Sequence, residues 1–179
     1  MMDTVRNGRR FHDVFRMLKT GYGPIDDDAC EELENYCSKY HIKSGRWKKP
    51  FIYGVKDEGE EALNRLNEDR EKVHIFIEQA EKLFRKKKTV REKTEALWTF
   101  LTETARMPEK IDMARAALEK NDEFEYAESA AQIWTAILSI FDQIVEVLGE
   151  EEMSDEEYSQ ILLQGFSEME IGLLPTTND

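Results

Sequence analysis

The segment from residue 35 to residue 56 combines cationic and aromatic side chains and contains no acidic residue. Cations neutralise phosphates and release counterions, and aromatic faces stack on unpaired bases or sugars. The pattern therefore favours a nucleic-acid contact. The candidate residues are Lys43, Arg46, Trp47, Lys48 and Lys49. The alternative is a solvated loop in which Trp47 and Phe51 fill the core.

Two further spacings resemble metal sites, but neither is complete. Cys30, Cys37 and His41 would share one side of a helix, whereas zinc ligands usually lie close together in loops and number four. These cysteines are more simply core residues. Glu71 and His74 match the Glu-x-x-His element of di-iron bundles, which occurs twice in such sites, and neither of the other histidines has this spacing. We therefore predict no metal site.

Nucleotide and nucleophile motifs are missing from the sequence. There is no Gly-x-x-x-x-Gly-Lys-[Ser/Thr] stretch to hold phosphates, and the three histidines fall on separate predicted helices without a nucleophile elbow. We expect no catalytic residue, and the chain in isolation is not expected to hydrolyse ATP or cut DNA.

Apolar spacing predicts an all-α fold, a single-domain bundle of about six or seven helices. The first helix has one apolar stripe at i, i+3, i+4 and i+7, formed by Phe11, Val14, Phe15 and Leu18. A long helix over residues 60–84 follows a bundle seam, which Arg70 interrupts at an apolar position. Capping boxes at Thr89 and Ser154 and a first-turn proline at residue 108 mark later helix starts.

The segment 130–148 is the most apolar part of the chain. Asp142 and Glu146 would cost roughly 5–7 kcal/mol in a membrane, and no cation flanks the segment, so a membrane span is rejected. We expect a central bundle helix that is apolar nearly all round because neighbouring helices cover it, ending at Gly149.

Charge is divided unevenly along the 179 residues. The formal net charge is −13, but from residue 121 onward there are fifteen acids and no Lys or Arg, while residues 1–120 carry about +2. Nucleic-acid contact is therefore expected in the first two thirds, and the acidic third is expected to face solvent or a basic protein. Two cysteines and no recognisable signal peptide predict a cytoplasmic location.

Several stretches of the sequence resemble the AddB (also RexB) family, the second subunit of bacterial AddAB-type helicase–nucleases. The clearest are Asp13-Val14-Phe15-Arg16, Leu18-Lys19-Thr20-Gly21, Leu33-Glu34-Asn35-Tyr36 and Gly45-Arg46-Trp47. Looser matches continue through Lys88-Thr89-Val90-Arg91-Glu92, Pro108-Glu109-Lys110, Trp134, Asp142-Gln143 and Gly172-Leu173-Leu174-Pro175. The variant run from Trp47 to Tyr53 departs from the family.

The resemblance implies a position within the second motor-like domain of such a subunit. Residues 1–21 would close the first half of that domain, and residues 22–179 would form its helical 2B-like insertion. Phe11, Val14, Phe15 and Leu18 would then pack on the motor domain. In the isolated chain we expect this face either to fold back on the bundle or to pair two molecules as a homodimer.

The resemblance also implies a functional setting. The parent subunit would act with an AddA-type partner in ATP-driven unwinding and resection of DNA ends for recombinational repair. It would use ATP, magnesium and an iron–sulfur cluster, none of them held by this segment, which would serve as a DNA-contacting arm or a subunit-docking surface. The alternative is a helical protein-interaction module with an acidic docking face and no DNA contact.

Overall fold

The computed structural model describes residues 4–5 and 8–173, and every regular element in these ranges is helical. The α-helices are α1 (Phe11–Leu18), α2 (Asp27–Lys39), α3 (Val55–Glu58), α4 (Glu60–Phe84), α5 (Val90–Thr99), α6 (Met107–Lys120), α7 (Phe124–Leu148) and α8 (Asp155–Leu173). A 3₁₀ turn (Ser44–Lys48) and a π-helical turn (Phe100–Thr104) complete the list. The all-α prediction is confirmed. Leu174 and Pro175, the end of the family resemblance, lie outside the described residues.

The helices group into two compact units, which are described separately. Unit 1 is Met1–Arg85 and contains α1 to α4, and unit 2 is Lys86–Asp179 and contains α5 to α8. Chain length predicts one domain and gives no indication that the helices divide into two units. The boundary expected after residue 21 concerns a motor-like domain and stays a prediction.

The apolar stripe of α1 is buried within unit 1. Val14, Phe15 and Leu18 are at most 2% exposed, and the half-buried ring of Phe11 lies 4.7 Å from that of Phe15. The Phe15 ring in turn lies 5.8 Å from Trp47. The face therefore folds back on its own unit, the first of the two outcomes expected. The loop that follows α2 covers it through Trp47, and the packing of this face on a motor domain stays a prediction.

Two side chains of helix α4 hold this loop in place through hydrogen bonds to its main-chain groups. The Asn67 side chain accepts a hydrogen bond from the Phe51 amide at 2.7 Å and donates one to the Phe51 carbonyl at 3.0 Å. The Arg70 guanidinium is buried and donates to the Trp47 carbonyl at 2.9 Å and to the Glu71 carboxylate at 2.5 Å. Arg70 interrupts the apolar seam because it satisfies a carbonyl that the buried loop would otherwise leave unpaired.

A second polar cluster in unit 1 joins Arg9 to α4. The buried Arg9 guanidinium binds both carboxylate oxygens of Glu81, at 3.0 and 2.9 Å, and contacts Nδ1 of His74 at 2.5 Å. Burial first, and then the charge of Arg9, lower the pKa of His74 below its ordinary value of 6.5. His74 therefore accepts the Arg9 hydrogen bond as a neutral imidazole.

In unit 2 the chain entering α5 pairs with the loop between α7 and α8. The Val90 amide donates to the Glu151 carbonyl at 2.9 Å, beside the predicted Thr89 capping box, which is confirmed. Buried Lys93 forms an ion pair with Asp155, and the Thr94 and Tyr158 hydroxyls lie 2.9 Å apart. Burial raises the pKa of Tyr158 to about 12, so this hydroxyl stays protonated.

Helix α7 is covered only in part. Ile140, Phe141 and Ile144 are buried, whereas Ile133 is 41% and Val147 76% exposed. The expectation that neighbours cover this helix nearly all round is therefore wrong: α5, α6 and α8 pack on it, but among its described side chains Ile133 and Val147 stay exposed on either side of the buried stretch. None of the described helices has the length and apolar character required to cross a membrane.

We predict that Asn67→Ala lowers the free energy of unfolding by about 1–3 kcal/mol, because it leaves the amide and carbonyl of buried Phe51 without their partner. The matched control is Asn64→Ala, an exposed position on the same helix, for which we expect a change within about 0.5 kcal/mol. Urea denaturation of both variants measures the difference. Equal losses would show that Asn67 does not hold the loop.

We predict that His74 makes unit 1 less stable as the pH falls below about 6.5. The unfolded chain takes up a proton at His74 before the folded chain does, so this contribution to stability is complete above pH 6.5 and is lost as the pH falls through the lowered pKa. His74→Gln, which keeps an acceptor for Arg9, should flatten the stability profile between about pH 5 and pH 7, and His12→Gln, an exposed control, should not. Thermal unfolding at each pH tests this, and identical profiles for wild type and His74→Gln would contradict it.

Candidate nucleic-acid interface

The candidate cations lie together on the outer side of the loop between α2 and α3. Lys43, Arg46, Lys48 and Lys49 are all exposed, and we call these four side chains the basic loop surface. Arg46 and Lys48 flank Trp47 within the 3₁₀ turn over Ser44–Lys48. The turn thus directs the indole inward and leaves the cations in solvent.

Trp47 is not part of this surface. Its side chain is 0% exposed and lies between the rings of Phe15 and Phe51, at 5.8 and 6.0 Å, while Phe51 itself is 3% exposed. The assignment of Trp47 as a DNA contact is therefore corrected: a fully buried indole cannot stack on a base. For Trp47 and Phe51 the alternative interpretation, that they fill the core, is confirmed.

Burial of the Trp47 side chain stabilises the fold on balance. An aromatic side chain buries about 150–250 Å², which stabilises the fold by on the order of 4–6 kcal/mol at about 25 cal/mol per Å². The indole Nε1 is buried and has no hydrogen-bond partner among the described residues, which costs about 1–3 kcal/mol. Apolar burial outweighs the lost hydrogen bond, so the loop is fixed at Trp47.

The basic loop surface carries uncompensated positive charge. In the ranges that the structure describes, none of its four side chains pairs with a carboxylate. Lys39, in the same acid-free stretch of sequence, differs, because its ammonium lies 2.6 Å from Glu58 and this hydrogen bond raises the pKa of Lys39. Lys39 is therefore paired with an acid, whereas the four cations of the basic loop surface face solvent.

A shallow groove of about 440 Å³ runs along the basic loop surface. Lys43, Arg46 and Lys49 contribute to its lining, together with Ile52 and Tyr53, which are 69% and 42% exposed. The guanidinium carbon of Arg46 lies 5.2 Å from the centre of the Tyr53 ring. Cationic and aromatic groups therefore meet here, but the aromatic group is Tyr53.

Tyr53 is held in place by groups of α2 and by a glycine. Its carbonyl accepts a hydrogen bond from the Tyr36 hydroxyl at 3.0 Å, and its ring is nearly parallel to that of Tyr40 at 6.2 Å. Gly54 follows with a left-handed φ of +76°, and a Cβ there would lie 2.0 Å from the Tyr40 hydroxyl. The sequence shows Tyr53 among the aromatics, but only burial distinguishes it from Trp47 and Phe51.

The residues considered for metal binding belong to the core or remain apart. Cys30 and Cys37 are buried, and burial raises the pKa of the Cys37 thiol to about 12, whereas His41 is exposed. His74 contacts Arg9. Among the described residues no three His, Cys, Asp or Glu side chains come together as metal ligands.

Comparison with known proteins relates nearly the whole chain to AddB subunits of ATP-dependent helicase/deoxyribonucleases. No family model matches the chain. It is 35% identical over 178 residues to the AddB subunit of Caldanaerobacter subterraneus subsp. tengcongensis and 37% identical over 185 residues to that of Alkaliphilus oremlandii. It is 36% identical over 178 residues to the protein of the same name from Clostridium botulinum.

These matches take in nearly the whole chain but a small part of each relative. They cover 94–96% of the chain and 15–16% of the relatives' lengths. Identity this high over nearly every helix confirms the resemblance that the sequence motifs indicated. The curated homologues of this chain are AddB subunits, and the chain corresponds to a segment of about 15% of their length.

Proposed function

We propose that this chain is a non-catalytic helical part of an AddB-type subunit and that its basic loop surface contacts the phosphates of DNA. The observation that carries the proposal is a set of four exposed, unpaired cations on a loop fixed to the core of unit 1. The relatives are named as helicase and deoxyribonuclease subunits, which supports DNA as the ligand.

Preorganisation makes this surface more suitable than an arbitrary lysine cluster. Asn67 and Arg70 fix the backbone on which the cations stand, so little backbone entropy is lost on binding. Each of the four cations can neutralise one phosphate, which gives a salt dependence with a slope of about −3 to −4 in log K against log salt. The Tyr53 ring beside Arg46 offers a face for an unpaired base.

The wider setting is carried over from the family resemblance of the sequence as part of the same proposal. The parent subunit acts with an AddA-type partner in the cytoplasm to unwind and resect DNA ends for recombinational repair. Its ATP, magnesium and iron–sulfur cluster are bound outside this segment. The segment contributes a surface for DNA and a rigid support, and it performs no chemistry itself.

A second candidate function, a helical protein-interaction module without DNA contact, is favoured by one observation in unit 2. From residue 121 onward the chain has no cation, and Ile133, Val147 and Leu163 are exposed apolar side chains there. An acidic surface with open apolar groups suits a basic protein partner. The two functions use different units, so variants of unit 1 distinguish them.

We predict that changing Lys43, Arg46, Lys48 and Lys49 together to Glu abolishes binding to a forked duplex. Four attractive contacts with phosphate become repulsive, while the anchoring groups of the loop are untouched. Fluorescence anisotropy of a labelled fork at about 50 and 200 mM salt measures the affinity, and wild-type binding should weaken on the order of 10²-fold between the two.

The matched control has the same charge change at other exposed cations of unit 1, with Lys19, Arg65, Lys72 and Lys82 changed to Glu. We expect this control to keep most of the affinity, because its positions lie outside the basic loop surface. Equal losses in both variants would show that net charge alone drives binding. No binding at low salt would contradict DNA contact and favour the protein-interaction module.

We predict that Tyr53→Ala weakens binding to a fork with unpaired arms by about 1–3 kcal/mol and leaves binding to a blunt duplex nearly unchanged. The reason is that only unpaired bases can stack on the Tyr53 ring, and its carbonyl contact with Tyr36 survives the substitution. The control is Tyr22→Ala, which removes a tyrosine of similar exposure at 39%. The same loss on both DNAs would contradict stacking at Tyr53.

A further inference from the structure

An open groove lies in unit 2 between α5 and α7. It has a volume of about 380 Å³, and its lining includes Thr94 and Trp98 of α5 and Leu138, Phe141 and Val145 of α7. Phe141 is buried at its base, and Trp98 is 39% exposed at its side. On each helix these residues recur at three- and four-residue steps, so the groove follows two helix faces for about two turns, or roughly 10 Å.

The two ends of the groove are defined by side-chain pairs. At one end the Trp98 ring is stacked on Trp134 with their centres 5.6 Å apart. At the other end Arg91 lies 2.9 Å from the carboxylate of Glu150. Arg91 itself lines the groove, but its charge is paired with an acid of the same unit.

The rim of the groove is acidic. Glu95 of α5 and Asp142 of α7 line it and are exposed, and neither is paired with a cation in the described part of the chain. Helices α7 and α8 contain no Lys or Arg at all. The groove therefore combines an apolar base with two uncompensated carboxylates.

We propose that this groove binds an amphipathic helix of a partner protein that carries Lys or Arg beside its apolar face. The apolar face covers Trp98 and Leu138, and the partner's cations pair with Glu95 and Asp142. Two parallel rows of side chains form the kind of groove that accepts a third helix. This inference rests on the second candidate function and not on DNA binding, because it concerns residues of unit 2 alone.

Charge complementarity disfavours the acidic helices α7 and α8 of a second copy of the chain as the occupant. The exposed face of α7 or α8 from another molecule would bring carboxylates against Glu95 and Asp142. The cations of the basic loop surface stand on a 3₁₀ turn whose aromatic residues, Trp47 and Phe51, are buried, so they offer no apolar helix face. A basic amphipathic helix satisfies both the apolar base and the acidic rim.

The experiment uses the full chain and a fluorescein-labelled helical peptide of about 18 residues with Leu on one face and Lys on the other. We expect saturable binding by anisotropy and a shift of tryptophan emission to shorter wavelength as Trp98 is covered. Glu95→Lys with Asp142→Lys should weaken binding about tenfold or more. Trp98→Phe should remove the emission shift.

The controls separate the groove from bulk charge and from self-association. Glu103→Lys with Asp112→Lys makes the same charge change at exposed positions outside the groove and should leave peptide affinity within about twofold of wild type. A peptide with Glu in place of Lys should not bind. Equal loss in both double variants, binding of the Glu peptide, or no saturable binding of the Lys peptide would overturn the proposal. Dimerisation of the chain that the peptide reverses would also overturn it, in favour of a second copy.

Discussion

Burial of the Trp47 side chain is the constraint on which unit 1 depends. The indole fills the space between Phe15 of α1 and Phe51 of the loop. The main-chain carbonyl of Trp47 accepts a hydrogen bond from Arg70 of α4. One residue therefore connects the first helix, the loop and the longest helix of the unit. Because the residues on either side of Trp47 must then face outward, the same constraint that completes the core also exposes Arg46 and Lys48.

The sequence predicted most of the helical framework because the framework is encoded locally. Helix spacing, the capping boxes at Thr89 and Ser154 and the stop at Gly149 all appear in the structure, since each depends on residues within a few positions of one another. The partner of Arg70 could not be predicted in this way. It lies 23 residues away in a loop of irregular backbone, where no periodicity indicates what approaches it.

The candidate interface was predicted in part for the same reason. Lys43, Arg46, Lys48 and Lys49 are exposed because burying four unpaired cations would be prohibitively costly, which composition alone indicates. Burial is not costly in this way for aromatic residues, since a Trp and a Tyr are equally suited to a core or to a stacking surface. Local sequence therefore could not decide that Trp47 is buried and Tyr53 exposed.

Helix α7 shows how apolar composition can mislead about burial. An apolar helix is expected to be surrounded, but α7 is covered only in part, and Val147, three residues after buried Ile144, is 76% exposed. The acids spread along α7 and α8 keep such a surface hydrated, so exposure of its apolar groups is tolerated in water. In a segment that makes up about 15% of its relatives' length, a helix face left open in this way is where neighbouring parts of a longer protein or a separate partner would pack. The acidic rim favours a cationic occupant of this surface and disfavours another acidic helix.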